Sequence, residues 1–300
     1  RQLSRRLADA GCAVHPDNLV ITNGCQEALT LALRAVTSPG DVVAIESPTF
    51  YGLLQVIESL GLEALEIPTN PHSGMSLEAL ELALGRWPVK ACVVTPNFSN
   101  PLGCLMPDEH KKKLVAMLKV REVPLIEDDI YADFESQPVS RYASMAGFQS
   151  NNGFETIYLG SMSKTLSADL RVGFIAAAPA TIAALTDLKL ISGISTSNTM
   201  ERLVYALLTG GGYRRHLEQL KRRLQQARSL VFSKLKQLDC QLWAEPSAGF
   251  LCWVKLPEGV SSSVLSERLQ QRQVVLAPGS QFSTLPDADQ YTRLNVAQCL

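Results

Sequence analysis

The run Gly160-Ser161-Met162-Ser163-Lys164-Thr165 leaves a short apolar stretch, Thr156-Ile157-Tyr158-Leu159, and is followed by Arg171-Val172-Gly173. Four apolar-rich residues bounded by glycine and serine predict a buried strand that ends in a loop. A lysine there becomes a good imine former when it is partly desolvated and near other cations, because its pKa falls. Two serines and a nearby arginine can hold a phosphate. By itself the pattern is short, and a solvated lysine after a strand is its ordinary meaning. The rest of the chain decides between the two.

Outward from this run the order strand, turn, helix recurs. Leu19-Val20-Ile21-Thr22 leads into Asn23-Gly24 and a helical run from Gln26 to Val36. Asp41 to Ile45 is strand-like and precedes Pro48 and a helix through Leu60. Ala64 to Ile67 and Lys90 to Thr95 are further strands, separated by a helix from Leu77 to Leu84. A helix with an acidic first turn runs from Asp108 to Arg121, before the strand Pro124 to Asp128. Short apolar strands alternating with helices predict an α/β fold, with a mostly parallel central sheet covered by helices on both faces. Ligands bind such sheets at the carboxyl ends of the strands.

Past about residue 195 the pattern changes. Tyr213 to Leu238 reads as one long basic helix, Leu251 to Leu256 as a strand and Val260 to Gln271 as a helix. Val274 to Leu276 and Arg293 to Ala297 read as strands. This predicts a large domain over 19–195 and a smaller α+β domain over 196–300. Residues 1–18, helical as far as Gly11, are assigned to the smaller one.

The chain has 300 residues, 46% hydrophobic and 19% charged, enough for a sizeable core and more than one core usually takes. A net charge of −1 argues against a nucleic-acid or membrane surface. The basic segments Lys111-Lys112-Lys113 and Arg214 to Arg223 are expected as solvated helix faces. No apolar stretch is long enough to span a bilayer, and the basic start is followed by no signal-peptide core. Seven cysteines show no CxxC spacing, which predicts reduced thiols and a cytoplasmic setting. The four histidines form no ligand set, so no metal site is expected.

Other residues give the lysine its context. Asp128 ends an apolar strand, where an idle carboxylate would be costly to bury, and Tyr131 follows it. A pyridoxal 5′-phosphate (PLP) site needs a carboxylate to keep the pyridinium nitrogen protonated, and gains from a phenol near the ring hydroxyl. Asn100, in Asn100-Pro101-Leu102-Gly103, is either a turn residue or an amide donor. Gly24-Cys25-Gln26 opens a helix after a strand, a place suited to an anion. Phe50, in Ser47-Pro48-Thr49-Phe50, is either a core aromatic or a ring to stack on a pyridine.

In order, Gly24-x-Gln26, Pro48-x-Phe50, Asn100-Pro101-x-Gly103, Asp128-x-x-Tyr131, Ser161-x-Ser163-Lys164, Arg171 and Arg293 resemble the fold-type I PLP-dependent proteins, the class I/II aminotransferase family. The resemblance covers about Leu19 to Ala297. It implies that Lys164 is the Schiff-base lysine and proton shuttle, and that Asp128 pairs with the pyridinium nitrogen. It implies that Asn100 and Tyr131 contact the ring hydroxyl oxygen and that Phe50 stacks on the ring. Gly24, Cys25, Gln26, Ser161, Ser163 and Arg171 would hold the phosphate. Arg293 would clamp a substrate α-carboxylate in a bidentate pair. The family has serine or alanine where Cys25 stands, so Cys25 would act through its backbone. Family members are usually homodimers with the site at the subunit boundary.

Thr95 to Gly103, Ile126 to Tyr131, Ser161 to Leu166 and Gly212 to Leu217 look like the MocR subfamily of GntR-type regulators. In those proteins a winged helix-turn-helix domain precedes an aminotransferase-like effector domain. By that resemblance the chain is expected to start inside the aminotransferase-like region and to stop before its end, as a fragment of a longer protein would, with DNA bound only by a domain not visible here. Two functions stay open. One is a ligand-sensing effector domain that binds PLP and an amino acid or related amino compound. The other is a catalytic aminotransferase acting between an amino acid and a 2-oxo acid.

Overall fold

The computed structural model describes residues 1–135 and 155–298. Its helices are α1 (Gln2–Asp9), α2 (Cys25–Val36), α3 (Tyr51–Ser59), α4 (Leu77–Arg86), α5 (Asp108–Val120), α6 (Pro179–Gly193), α7 (Asn198–Thr209), α8 (Gly212–Gln237) and α9 (Ser262–Gln270). Strands β1 (Leu19–Thr22), β2 (Val42–Ser47), β3 (Glu63–Asn70), β4 (Gly74–Met75), β5 (Val89–Val94), β6 (Leu125–Asp128), β7 (Thr156–Ser161) and β8 (Gly173–Ala176) make one sheet, in the order β1-β8-β7-β6-β5-β2-β3-β4. From β7 across to β3 the neighbours are parallel. Strand β8 is antiparallel to both its neighbours, and β4 to β3.

Successive strand residues face opposite sides, so a strand apolar at every position needs a core on each face. Val43, Ile45, Ala91 and Val93 pack with Leu29 of α2, Leu53 of α3 and Leu185 of α6. Their neighbours Val42, Ala44, Cys92 and Val94 pack on the other side with Leu80 of α4 and Leu114 of α5. That is the α/β architecture the alternating strands and helices predict.

Residues 1–18, expected with the smaller domain, pack on the large sheet instead. Leu3, Leu7, Cys12 and Val14 share a core with Tyr158, Met162, Val172, Phe174 and Val204 of α7.

A second sheet holds β9 (Gln241–Leu242), β10 (Leu251–Lys255), β11 (Ala277–Pro278) and β12 (Tyr291–Asn295), in the order β11-β12-β10-β9 and antiparallel throughout. Leu224, Ala227, Val231 and Leu235 of α8, spaced three or four apart, lie in one core with Leu251, Cys252 and Val254. The strand read over Val274 to Leu276 is not formed. Those residues are irregular, Val275 is 91% exposed, and pairing begins only at Ala277. Cys12, Cys92, Cys104 and Cys252 are buried, as small core residues, and Cys299 lies outside the described residues. Among the described residues no helix is long and apolar enough to cross a membrane.

Candidate functional site

All the residues singled out in the sequence except Arg293 lie at strand ends or in loops at one edge of the large sheet, the carboxyl end of its parallel strands. Gly24 follows β1 and caps α2 at φ +82°, a conformation L side chains rarely adopt. A Cβ there would lie 2.5 Å from Arg171 Nη2. The missing side chain is what lets the guanidinium reach the start of α2, where Arg171 Nη2 donates to the Asn23 carbonyl at 2.8 Å. The first N–H groups of a helix lack intrahelical partners, so Cys25 and Gln26 bring donors beside this cation. The Gln26 side chain is engaged elsewhere: its Nε2 donates to the Gly52 carbonyl at 2.9 Å and ties α2 to α3. Ser161 ends β7, and its Oγ accepts the Ser163 N–H at 3.1 Å. The Ser163 hydroxyl oxygen is buried without a hydrogen-bond partner.

Lys164 follows in the same loop. Burial lowers its pKa, and the charges of Arg293 and Arg171 add to that effect, while Asp128 and Cys25 oppose it. Asp128 ends β6. Its half-buried carboxyl is raised by desolvation to about 6, against the hydrogen bonds of Cys25 and the Ile130 N–H. Burial also pushes the Tyr131 phenol up, with Asn100 hydrogen-bonded to it. Asn100 Oδ1 lies 3.5 Å from Arg293 Nη1, which comes from β12 of the second sheet. Arg293 Nε is buried without a partner, and burial lowers the guanidinium's pKa. Phe50 sits directly before α3, its ring 4.7 Å from that of Tyr51. The site thus holds an anion pocket at one end, an amine and a carboxylate in the middle, and a second cation at the far end.

The family model for aminotransferase class I and II matches residues 2–299. The chain belongs to that family. It is 36% identical over 300 residues to the uncharacterized HTH-type transcriptional regulator YdcR of Escherichia coli, covering 98% of this chain and 63% of YdcR. It is 30% identical over 287 residues to 2-aminoadipate transaminase of Thermus thermophilus, covering 95% of this chain and 72% of that protein. The solved structure of LysN, an alpha-aminoadipate aminotransferase of Thermus thermophilus complexed with N-(5′-phosphopyridoxyl)-L-leucine, matches with a TM-score of 0.88 at 28% identity. It covers 99% of this chain and 76% of LysN. The fold is that of the fold-type I aminotransferases, and the chain spans less than two thirds of the regulator's length.

Around this class I/II site the structure brings in residues that the sequence did not single out. Phe282 lies under Arg293, its ring centroid 5.2 Å from the guanidinium carbon, and 6.0 Å from the Tyr51 ring. Positions 51, 282 and 293 come from three separate segments, so only the fold unites them. Lys111, expected on a solvated helix face, is fully buried. Its Nζ donates to Asn97 Oδ1 at 2.8 Å; Asn97 Nδ2 donates to Asp129 Oδ1 at 2.7 Å, and the Tyr158 hydroxyl donates to Asp129 Oδ2 at 2.8 Å. Lys111 precedes Leu114, Val115 and Leu118 by three, four and seven residues, so it shares the face by which α5 packs on the sheet, while Lys112 and Lys113 turn away. The inward one fixes the loops that carry Asn100 and Asp128.

Proposed function

We propose that the chain is the PLP-binding, aminotransferase-like effector domain of a MocR/GntR-type transcriptional regulator. The observation that carries the cofactor reading is the meeting of Lys164 and Asp128 with the Gly24–Arg171 anion pocket at one sheet edge. The residues fit such a group: Ser163 offers an orphaned buried hydroxyl, and the bare backbone of Gly24 lets the Arg171 guanidinium lie beside the first N–H groups of α2. When bound, PLP supplies an electron sink for negative charge developing on an amino acid's carbon.

The chain's own residues divide the remaining work. The N–H groups of Cys25 and Gln26, the hydroxyls of Ser161 and Ser163, and Arg171 bind the phosphate. Asp128, as a carboxylate, would accept from the protonated ring nitrogen, Asn100 and Tyr131 would hold the ring oxygen, and Phe50 would cover the ring. Lys164 anchors the cofactor covalently. With its amine free, Lys164 would act as a base toward the bound compound, its pKa lowered by burial and by Arg293 and Arg171. Arg293 holds the compound's carboxylate. Displacement of Lys164 would shift the balance between two conformations of the domain, and an attached DNA-binding domain would follow. Likeness to YdcR supports this reading. We further propose a cytoplasmic homodimer paired through the exposed apolar residues Ile191, Ile194, Leu203 and Tyr205 of α6 and α7 and the turn between them.

A catalytic aminotransferase is the second reading, favoured by the likeness to 2-aminoadipate transaminase and by Arg293 beside Asn100. Purified protein incubated with PLP and then reduced with borohydride should carry a covalent adduct on Lys164, and Lys164→Ala should carry none. An adduct that persists in Lys164→Ala would overturn the cofactor assignment. Adding amino acids with a 2-oxo acid acceptor separates the two functions. A saturable spectral change without turnover supports the effector, and steady release of a new 2-oxo acid supports the enzyme.

A further inference from the structure

We infer that Cys25 is a positioning residue for Asp128: its thiol donates a hydrogen bond that aims this carboxylate and keeps it ionised for the cofactor's ring nitrogen. The inference rests on the reading that PLP binds here, and it gives a role to the side chain at a position where only the backbone was expected to act.

The contact joins residues 103 positions apart, with Cys25 Sγ 3.4 Å from Asp128 Oδ1. Gly24 makes it possible. Its positive φ sets the direction in which α2 leaves β1, and the first side chain of the helix then points at the end of β6 rather than at solvent. Which way the proton lies follows from the surroundings. Burial and the neighbouring Asp128 hold the thiol pKa well above its usual value, so Cys25 is a neutral donor and not a thiolate. A thiol is a weak donor, but one aimed at a charged acceptor is worth more than one aimed at a neutral group.

The other groups that face Asp128 leave this bond a distinct job. Asp129, next in the chain, disfavours a charge on Asp128, and Asp128 in turn helps to raise the carboxyl of Glu46, near the end of β2, to about 7. Tyr131 is a neutral phenol with a raised pKa. The Ile130 N–H and the Lys164 ammonium favour the carboxylate. Lys164 is the group that the cofactor would engage, so its full charge is not available to Asp128 in the loaded protein. What then remains is the Ile130 N–H from the same loop and the Cys25 thiol from across the site.

The test is the pH dependence of PLP affinity, measured by fluorescence titration of the whole chain between pH 5 and 9. Affinity should rise as Asp128 ionises. In Cys25→Ala that midpoint should move up, leaving affinity about three- to tenfold weaker than wild type between pH 6 and 7 and converging on it near pH 9. Cys25→Ser retains a donor and should keep most of the wild-type midpoint. Should the alanine variant fail to fold, Cys25→Val keeps the bulk, removes the donor and is read in the same way. An unmoved midpoint in the variants without a donor, or an equal shift in Cys25→Ser, would overturn the inference. Wild-type protein that binds no PLP at any pH would instead overturn the cofactor reading beneath it.

Discussion

At the scale of single residues, the site is built by placing charges where water cannot fully relax them. Asp128 shows what this does to stability. Its folded carboxyl lies at about 6, above the usual value of 3.8. A raised carboxyl pKa means that the folded chain holds the proton more tightly, so its contribution to stability is present at low pH and lost as pH rises through about 6. Asp128→Asn removes the buried charge. Denaturant unfolding without cofactor should show Asp128→Asn more stable than wild type at pH 8, with the difference gone by pH 4, while PLP binds the variant more weakly. An equal difference at both pH values would count against a buried carboxylate. Arg293 poses a question of geometry rather than charge. Arg293→Lys keeps the cation and loses the planar fork. Titration with amino acids should show affinity about 10- to 100-fold weaker, with PLP affinity unchanged, as expected for loss of one bidentate pair.

At the scale of elements, the anion pocket belongs to a strand–turn–helix unit whose turn tolerates only glycine. Gly24→Ala would place a methyl group 2.5 Å from Arg171 Nη2 in a backbone conformation unsuited to alanine. The strain should cost about 1–3 kcal/mol of stability, visible as a lower denaturation midpoint. Arg171 must swing away, so PLP affinity should fall at least about tenfold, by loss of one charge-assisted contact. Wild-type affinity in a folded Gly24→Ala protein would mean that Arg171 and this turn do not hold the phosphate. Element identity was readable where an apolar run was bounded by turn residues, as at β1, β6 and β7. It failed at Val274 to Leu276, where three apolar residues carry no partner strand and the paired segment begins with Ala277. Periodicity reports a preference for burial, and three residues are too few to say against what.

At the scale of the molecule, distant segments are held together by a few polar contacts. Arg6 of α1 pairs with Asp133 in the loop after β6 and lies 4.5 Å over the ring of Tyr213 in α8. Burial lowers the Arg6 pKa, but Asp133 and Tyr213 together raise it above its ordinary value. Arg6→Ala should destabilise the fold by roughly 2 kcal/mol, between the values for exposed and buried pairs. Arg6→Lys should recover only part of this, since lysine keeps the charge without the stacking plane. Thermal unfolding of the three proteins would show it, and equal melting temperatures for Arg6→Ala and wild type would remove the pair from the account. The sequence alone determined the α/β class and most of the strand–helix alternation as far as β7, because apolar period and turn chemistry are local, but it did not yield β4, α6 or α7. It also supplied the loop residues at the ends of those strands and, through them, the family. Only the tertiary structure decided that α1 rests on the large sheet, that Lys111 is buried, that Phe282 lies under Arg293 and that the Cys25 thiol meets Asp128. Those contacts join positions far apart in the chain, and closure of the sheets, which no local pattern encodes, is what brings them within reach.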